Sequence, residues 1–389
     1  MKKRLAIVTT HPIQYNAPWF RLLTERNRIT LKVFYTWSQS AAGKKYDPGF
    51  KRDIEWDIPL LEGYDYSFVE NTSPSPGTRH YSGIQNPGLV KELDAFKPDA
   101  ILVSGWNFKS HLHCLRHYHK KIPVLFRGDS TMLDETGGLK SVARRLVLKW
   151  VFRHINYALY TGQANKQYFK AHGLTEAQLV FTPHAIDNDR FAGDPSQQSA
   201  AIALRQQLGI GEEEFVFLFA GKFEPKKSPE LLISSFMAAG LSGAHLVMVG
   251  NGELEQELKN LAEDNRNIHF MDFQNQANMP SVYDMADLVV LPSAGPGETW
   301  GLAVNEAMAS GKAVIVSDKC GCAADLVQEN VNGWLFRAND AAGLTNVIRS
   351  VPLRKDVLAA MGNAGQKMIS RYSFRQIAEA IETTVQVTI

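Results

Sequence analysis

Two carboxylates and two ammonium groups hold most of the chemistry that this sequence offers. Glu298 and Glu306 lie in Gly297-Glu298-Thr299-Trp300-Gly301-Leu302-Ala303-Val304-Asn305-Glu306, a Gly-rich loop running into a helix that Gly311 ends. One acid therefore precedes the helix and the other sits about a turn and a half inside it. A helix start offers backbone N–H groups and a positive dipole end, which suit phosphate, while carboxylates accept from hydroxyls. A ligand with hydroxyls at both ends and phosphate between them is a nucleotide-sugar. On spacing alone, two solvated acids near a helix start remain an equal alternative. Upstream, Gly221-Lys222-Phe223-Glu224-Pro225-Lys226-Lys227-Ser228-Pro229 follows an apolar run. Its lysines would neutralise a diphosphate, or would simply form an exposed basic loop. Ser228 is expected to N-cap a helix that Pro229 begins.

The elements that must position these groups alternate. Short apolar runs at Arg4–Thr9, Leu31–Tyr35, Ala100–Ser104, Pro123–Phe126, Tyr157–Tyr160 and Leu179–Phe181 read as strands, with a helix over Ala17–Arg26 and helical stretches between them. The second half repeats the pattern at Phe215–Ala220, His245–Val249, Ile268–Met271, Leu288–Leu291 and Ala313–Val316. Such alternation predicts an α/β fold of parallel sheets covered on both faces, with ligands beyond the carboxyl ends of the strands. The expected division is 1–190, a linker at Ala192–Ser199, a second domain over 200–370 and a terminal helical segment, 371–389. Residues 38–88, rich in Gly, Pro, Ser and aromatics, read as long loops with short elements.

Composition narrows the class. A chain of 389 residues with 44% hydrophobic and 21% charged residues suits two soluble globular domains. No run of eighteen or more apolar residues spans a membrane, and the start Met1-Lys2-Lys3-Arg4-Leu5 reads as a first strand and not a signal peptide. Cys114, Cys320 and Cys322 make neither a disulfide framework nor a metal site, so a cytoplasmic location is expected. Residues 1–190 hold 27 Lys and Arg against 17 Asp and Glu, and residues 191–389 hold 15 against 23. An anionic partner should therefore meet the N-terminal half. Val249-Gly250-Asn251-Gly252 offers only G-x-G, which argues against a dinucleotide dehydrogenase, and there is no P-loop.

These residues resemble the retaining sugar-nucleotide glycosyltransferases of the GT-B fold, in particular glycosyltransferase family 4, the glycosyl transferases group 1. The resemblance lies in the E-x7-E segment at Glu298 and Glu306 and in the G-[RK]-x4-K loop at Gly221, Lys222 and Lys227. It extends through Val249–Leu254, Asn267–Phe270, Ala286–Ser293 and Val331–Phe336, and Pro183–Asp187 looks like the family's interdomain segment. The implied fold is two Rossmann-like domains facing a central cleft, with the terminal helix able to cross back to the first. The resemblance implies transfer of a sugar from a nucleoside diphosphate, UDP being the expected one, to an acceptor hydroxyl with retention. In that role Glu306 would bind the ribose diol and Glu298 a sugar hydroxyl, while Lys222, Lys227 and the backbone of Gly301 and Leu302 would neutralise the diphosphate. No metal or other cofactor is implied, and Asp187-Asn188-Asp189 is taken as part of the interdomain segment and not as a metal motif. The acceptor would be a glycan, a lipid-linked sugar or a small molecule, in polysaccharide, glycan or glycolipid synthesis. No nucleic acid is expected as a partner. The alternatives are a nucleotide-sugar epimerase of the same architecture and a non-catalytic nucleotide-sugar-binding subunit.

The first half departs from the family pattern. His11-Pro12-Ile13-Gln14-Tyr15 replaces a Gly-Gly pair, so His11 and Gln14 are candidates for the acceptor or phosphate side, as is Arg127. Phe126-Arg127-Gly128-Asp129 stands where relatives place a His, which makes Asp129 the candidate for orienting the acceptor hydroxyl, with a turn cap as the equal alternative. Residues 139–154 form a basic amphipathic helix whose apolar positions 139, 142, 146, 147 and 150 share a face. That face would either lie on anionic lipid at the inner side of the membrane or pack on the core. Among His111, His113, His117 and His119 the 113/117 spacing could ligate a metal on one helix face, but no acidic partner accompanies it, so the four read as a polar helix surface; Trp37, Trp56 and Trp106 read as either cleft-lining or core residues.

Overall fold

The computed structural model describes residues 2–37, 45–47 and 49–387; of the long-loop stretch 38–88, residues 38–44 and Pro48 lie outside the described residues. The chain divides into two compact units. One gathers Met1–Gly43, Pro59–Pro183 and Phe374–Ile389, and the other Lys44–Ile58 and His184–Ser373.

In chain order the strands begin with β1 (Arg4–Thr9), β2 (Thr30–Tyr35), β3 (Lys45–Asp47), β4 (Arg52–Ile54) and β5 (Tyr66–Phe68). They continue with β6 (Ala100–Ser104), β7 (Val124–Arg127), β8 (Tyr157–Tyr160) and β9 (Leu179–Phe181). The first unit is built on a seven-stranded parallel sheet of order β5-β2-β1-β6-β7-β8-β9. Leu5 to Val8 are completely buried because both faces of β1 are covered, which is why this strand reads as a continuous apolar run and not an alternating one.

The terminal helix Phe374–Val387 belongs to the first unit, where it packs on the helix Ala17–Arg26 and buries Ile377, Ala378, Ile381 and Val385. Its buried Glu382 accepts two bonds of 2.9 Å from the Arg26 guanidinium. The hydrogen bond to Glu382, reinforced by its charge, raises the Arg26 pKa against the cost of burial.

The second unit contains β10 (Phe215–Ala220), β11 (Ala244–Val249), β12 (Ile268–Met271), β13 (Leu288–Leu291), β14 (Ala313–Ser317) and β15 (Gly333–Phe336). They form a six-stranded parallel sheet of order β12-β11-β10-β13-β14-β15. A core of Phe217, Phe219, Phe223, Leu232, Leu246 and Met248 with Leu344 and Ile348 fills one side of it. The antiparallel pair β3 and β4 also belongs to this unit.

Three expectations need correction. Ala192–Ser199 is not a linker: Asp194 accepts from the N–H groups of Ser196 and Gln197 and caps a helix over Pro195–Gln207. Ser228 does not cap the helix Pro229–Ala239 with its side chain; at φ 50 it closes the 3-10 turn Pro225–Lys227. The helix Leu139–Phe152 turns Leu148, Val151 and Phe152 inward, not the face predicted to be apolar. The sheet has room for only one side of an element that is apolar on two.

Candidate active site

In each sheet the strand order reverses once, between β1 and β6 in the first and between β10 and β13 in the second. Loops at the carboxyl ends of strands separate at such a point and leave a crevice where ligands bind. In the second unit the loops that follow β10 and β13 bear the residues singled out from the sequence.

Lys227 is the last residue of the 3-10 turn after β10, and its ammonium donates to Glu298 Oε2 from the loop after β13. Ser293 Oγ donates to the same oxygen at 3.0 Å. The pair is largely withdrawn from water, with side-chain exposures of 17% for Lys227 and 10% for Glu298, so each charge depends on the other. Backbone bonds interlock the loops that hold it: Ala294 N donates to Lys226 O at 2.9 Å, and Gly321 N, after β14, donates to Glu298 O at 3.1 Å. Below Glu298, burial and then the Glu298 charge push the Cys320 thiol up to about 12, so this thiol is inert at neutral pH.

Gly301, at φ 100, turns the chain into the helix Leu302–Ala309. Glu306 is the fifth residue of that helix and is buried, and the hydroxyl of the fully buried Tyr283 donates to its Oε2 at 2.7 Å. Trp300 Nε1 donates to Asn305 Oδ1 at 2.8 Å, and Asn305 Nδ2 to His184 O at 3.0 Å, which fixes the start of the helix from below. The unit thus sets a carboxylate–ammonium pair before a helix N-terminus and a second carboxylate inside the helix. Tyr283 and Ser293 were not singled out from the sequence, because an apolar-flanked hydroxyl has no signature of its own. Gly221, on the same loop as Lys222, donates its N–H to Val249 O at 3.0 Å and ties the loops after β10 and β11 together.

The first-unit candidates occupy the corresponding loops of their own sheet. His11 and Gln14 follow β1; His11 Nδ1 lies 2.9 Å from Thr10 Oγ1, and its ring meets Trp37 edge-on with centroids 5.4 Å apart. Arg127 ends β7 and is buried. Its guanidinium donates to Thr182 O at 2.8 Å, to Thr182 Oγ1 at 2.6 Å and to Pro183 O at 3.0 Å. Burial lowers its pKa to about 10 against the pull of Asp129. Its donors thus hold the end of β9 in place, a structural use that sequence spacing did not reveal. Asp129 is exposed on the loop just beyond.

The histidines divide. His111 is buried between Thr36 Oγ1 and Ser104 O, both at 2.9 Å, and burial lowers its pKa to about 4, while His113 and His117 sit with ring centroids 6.0 Å apart. Asp187 accepts from Arg190 N at 3.2 Å and caps a short helix, while Asn188 donates to Ile369 O and Tyr372 O, so that triplet is structural. Among the described residues no group of three or more His, Cys, Asp or Glu could hold a metal ion, and no helix is long and apolar enough to cross a membrane.

Residues 201–368 match the family described as glycosyl transferases group 1. The chain is 28% identical over 210 residues to the D-inositol 3-phosphate glycosyltransferase of Saccharomonospora viridis, covering 50% of this chain and 47% of that protein. It is 26% identical over 251 residues to the GDP-mannose-dependent alpha-(1-6)-phosphatidylinositol monomannoside mannosyltransferase of Mycobacterium tuberculosis, covering 62% of this chain and 64% of that protein. The chain thus spans about half to two thirds of the length of these curated relatives. The crystal structure of HepE of Anabaena in complex with UDP and glucose superposes with a TM-score of 0.72 at 20% identity, covering 99% of this chain and 100% of that one. Two parallel-sheet α/β units of seven and six strands are the architecture of these GT-B glycosyltransferase structures.

Proposed function

We propose that this chain, whose residues 201–368 match the glycosyl transferases group 1 family, moves a sugar from a nucleoside diphosphate, UDP being the expected one, to an acceptor hydroxyl with retention of configuration. The observation that carries the reading is the part-buried Lys227–Glu298 pair at the switch point between β10 and β13. The diphosphate would lie against Lys222, Lys227 and the first N–H groups of the helix Leu302–Ala309, with the ribose diol on Glu306 and a sugar hydroxyl on Glu298. As the glycosidic bond breaks, negative charge grows on the leaving phosphate. An ammonium already oriented by Glu298 meets that charge without reorganising, so the proposal needs no divalent cation. Asp129, beyond β7, is assigned to the acceptor side. UDP is supported by the neighbouring HepE complex, and a lipid-linked or glycan acceptor by the activity named for the mycobacterial relative. We place the enzyme in the cytoplasm, in polysaccharide, glycan or glycolipid synthesis.

The test is a thermal-shift screen across UDP-, GDP- and ADP-sugars, since a ligand bound only by the folded state raises its melting temperature. Glu306→Ala should weaken the nucleotide that binds by about ten-fold, the loss of roughly one good hydrogen bond to a charged acceptor. Unchanged nucleotide affinity in this variant, with neither transfer nor donor hydrolysis by the wild type, rejects the proposal.

A membrane contact belongs to the same reading. On the helix Leu139–Phe152, Leu139 is 89% exposed, Leu146 66%, Val142 58% and Val147 48%, forming an apolar ridge that faces away from the core. Lys140, Arg145 and Lys149 are exposed beside this ridge, and Arg153 lies over Trp150 with its Cζ 5.9 Å from the ring centroid. An apolar ridge flanked by cations suits an anionic lipid surface. The protein should sediment with phosphatidylglycerol vesicles and much less with phosphatidylcholine vesicles, and Leu139→Glu/Leu146→Glu should remove most of that binding. Equal sedimentation of variant and wild type discards the idea.

A further inference from the structure

Lys222, assigned above to the donor's diphosphate, already holds an anion supplied by the chain itself. Asp47, at the end of β3, places its two carboxylate oxygens 2.9 and 3.1 Å from Lys222 Nζ, and the Phe50 ring centroid lies 4.8 Å from the same nitrogen. Gly49 is pressed so close that a Cβ there would stand 2.6 Å from both Cδ and Nζ of Lys222. This carboxylate is not a loose surface group: its Oδ1 also accepts from Gly49 N at 2.7 Å and Phe50 N at 3.1 Å, so the turn aims it.

The segment that carries β3 and β4, a strap running to Ile58, is fastened further along to different loops. Arg52 Nη1 donates to Asn251 Oδ1 at 3.0 Å, after β11. After β12, Phe273 meets Phe50 and Trp56 with centroids 4.7 and 6.3 Å away, and Ala277 N donates to Asp57 Oδ2 at 2.9 Å. Two groups of contacts therefore hold the strap, and only one of them lies on Lys222.

We propose that Asp47 is a tethered competitor of the donor's diphosphate, holding Lys222 until a nucleotide displaces it. The inference rests on the donor-site reading of Lys222. Asp47 engages Lys222 Nζ through both carboxylate oxygens and so takes two of its three hydrogens, which a phosphate would otherwise accept. Lys222 and Asp47 are about a third exposed, at 31% and 30%, so the pair is solvent-screened and readily exchanged. A diphosphate brings more charge and more acceptor oxygens than one carboxylate and displaces it. The anchors at Asn251, Phe273 and Ala277 keep the strap in reach, so Asp47 returns when the nucleotide leaves. Apparent affinity is then lowered by the fraction of molecules whose lysine is open.

The experiment is calorimetric titration of the full chain with UDP, GDP and ADP. Asp47→Asn keeps the turn's acceptor oxygen and removes the charge. This variant should bind the nucleotide about 3- to 10-fold more tightly than the wild type, the range for an open fraction of roughly a tenth to a third. The gain should vanish when Lys222→Ala is added. Binding to Asp47→Asn with none detected for the wild type is the same result in its strongest form. If Lys222→Ala weakens the nucleotide while Asp47→Asn leaves it unchanged or weaker, Asp47 merely positions the lysine and the competitor is overturned. If Lys222→Ala leaves affinity unchanged, or no variant binds any of the three, the donor-site reading itself fails. Melting temperatures of all variants check that each is folded.

Discussion

Lys227→Met will lower sugar transfer by about 10²- to 10³-fold, the usual effect of removing one preorganised group that meets charge developing in a transition state. It will also destabilise the second unit. Glu298 keeps Ser293 as a donor at 3.0 Å but loses the ammonium that neutralises it, at a site where its side chain is only 10% exposed. Breaking a buried pair on one side costs about 3 kcal/mol, because an uncompensated charge is left behind. Glu298→Gln strands the lysine in the same way. The double variant Lys227→Met/Glu298→Gln strands neither charge and should recover most of the lost stability while transfer stays lost. Urea midpoints measure the first quantity and initial rates with the donor found by screening measure the second. Wild-type rates from Lys227→Met would remove this lysine from the chemistry.

Gly301→Ala carries the second large effect. At φ 100 an L-residue is strained, and an added Cβ would stand 2.7 Å from Leu291 Cδ2 and 3.5 Å from Cys322 Sγ. Leu291 is buried at the end of β13, and the buried Cys322 donates its N–H to Trp300 O at 3.0 Å, so neither yields easily. Strain and overpacking together should cost about 2 to 5 kcal/mol. For a unit of this size that lowers the melting temperature by roughly 5 to 15 °C. Because the same glycine sets the direction of the helix Leu302–Ala309, nucleotide affinity should fall with it. A melting temperature and an affinity both equal to wild type would show that the loop accommodates the methyl group and that its geometry is not what the site depends on.

The legible part of the site was the part with a local signature. Glu298 on a loop and Glu306 inside the next helix were placed by Gly301, Gly311 and the apolar run behind them, and the structure puts Glu306 at the fifth position of that helix. The strands at Phe215–Ala220 and Leu288–Leu291 were equally plain, since a strand buried on both faces is an uninterrupted apolar run. β5 and β15 were not assigned: they are three and four residues long and lie at sheet edges, too short for a period to show. The helix Leu139–Phe152 misled because Leu148, Val151 and Phe152 are as apolar as the ridge opposite them. A helix apolar on two sides does not say which side the core will take.

By itself, the sequence determined two parallel α/β sheets, the places where their loops turn into helices, and an acid pair with a lysine loop at one such place, because each rests on the periodicity and capping of neighbouring residues. Only the tertiary structure decided the partners. Lys227 and Glu298 are 71 positions apart and Lys222 and Asp47 are 175 apart, and no local preference encodes such pairings. The first follows from strand order: β10 and β13 are hydrogen-bonded neighbours, so the loops beyond them lie side by side. The β3–β4 strap joined the second unit through rings and charges that carry no period in sequence and acquire meaning only where they dock.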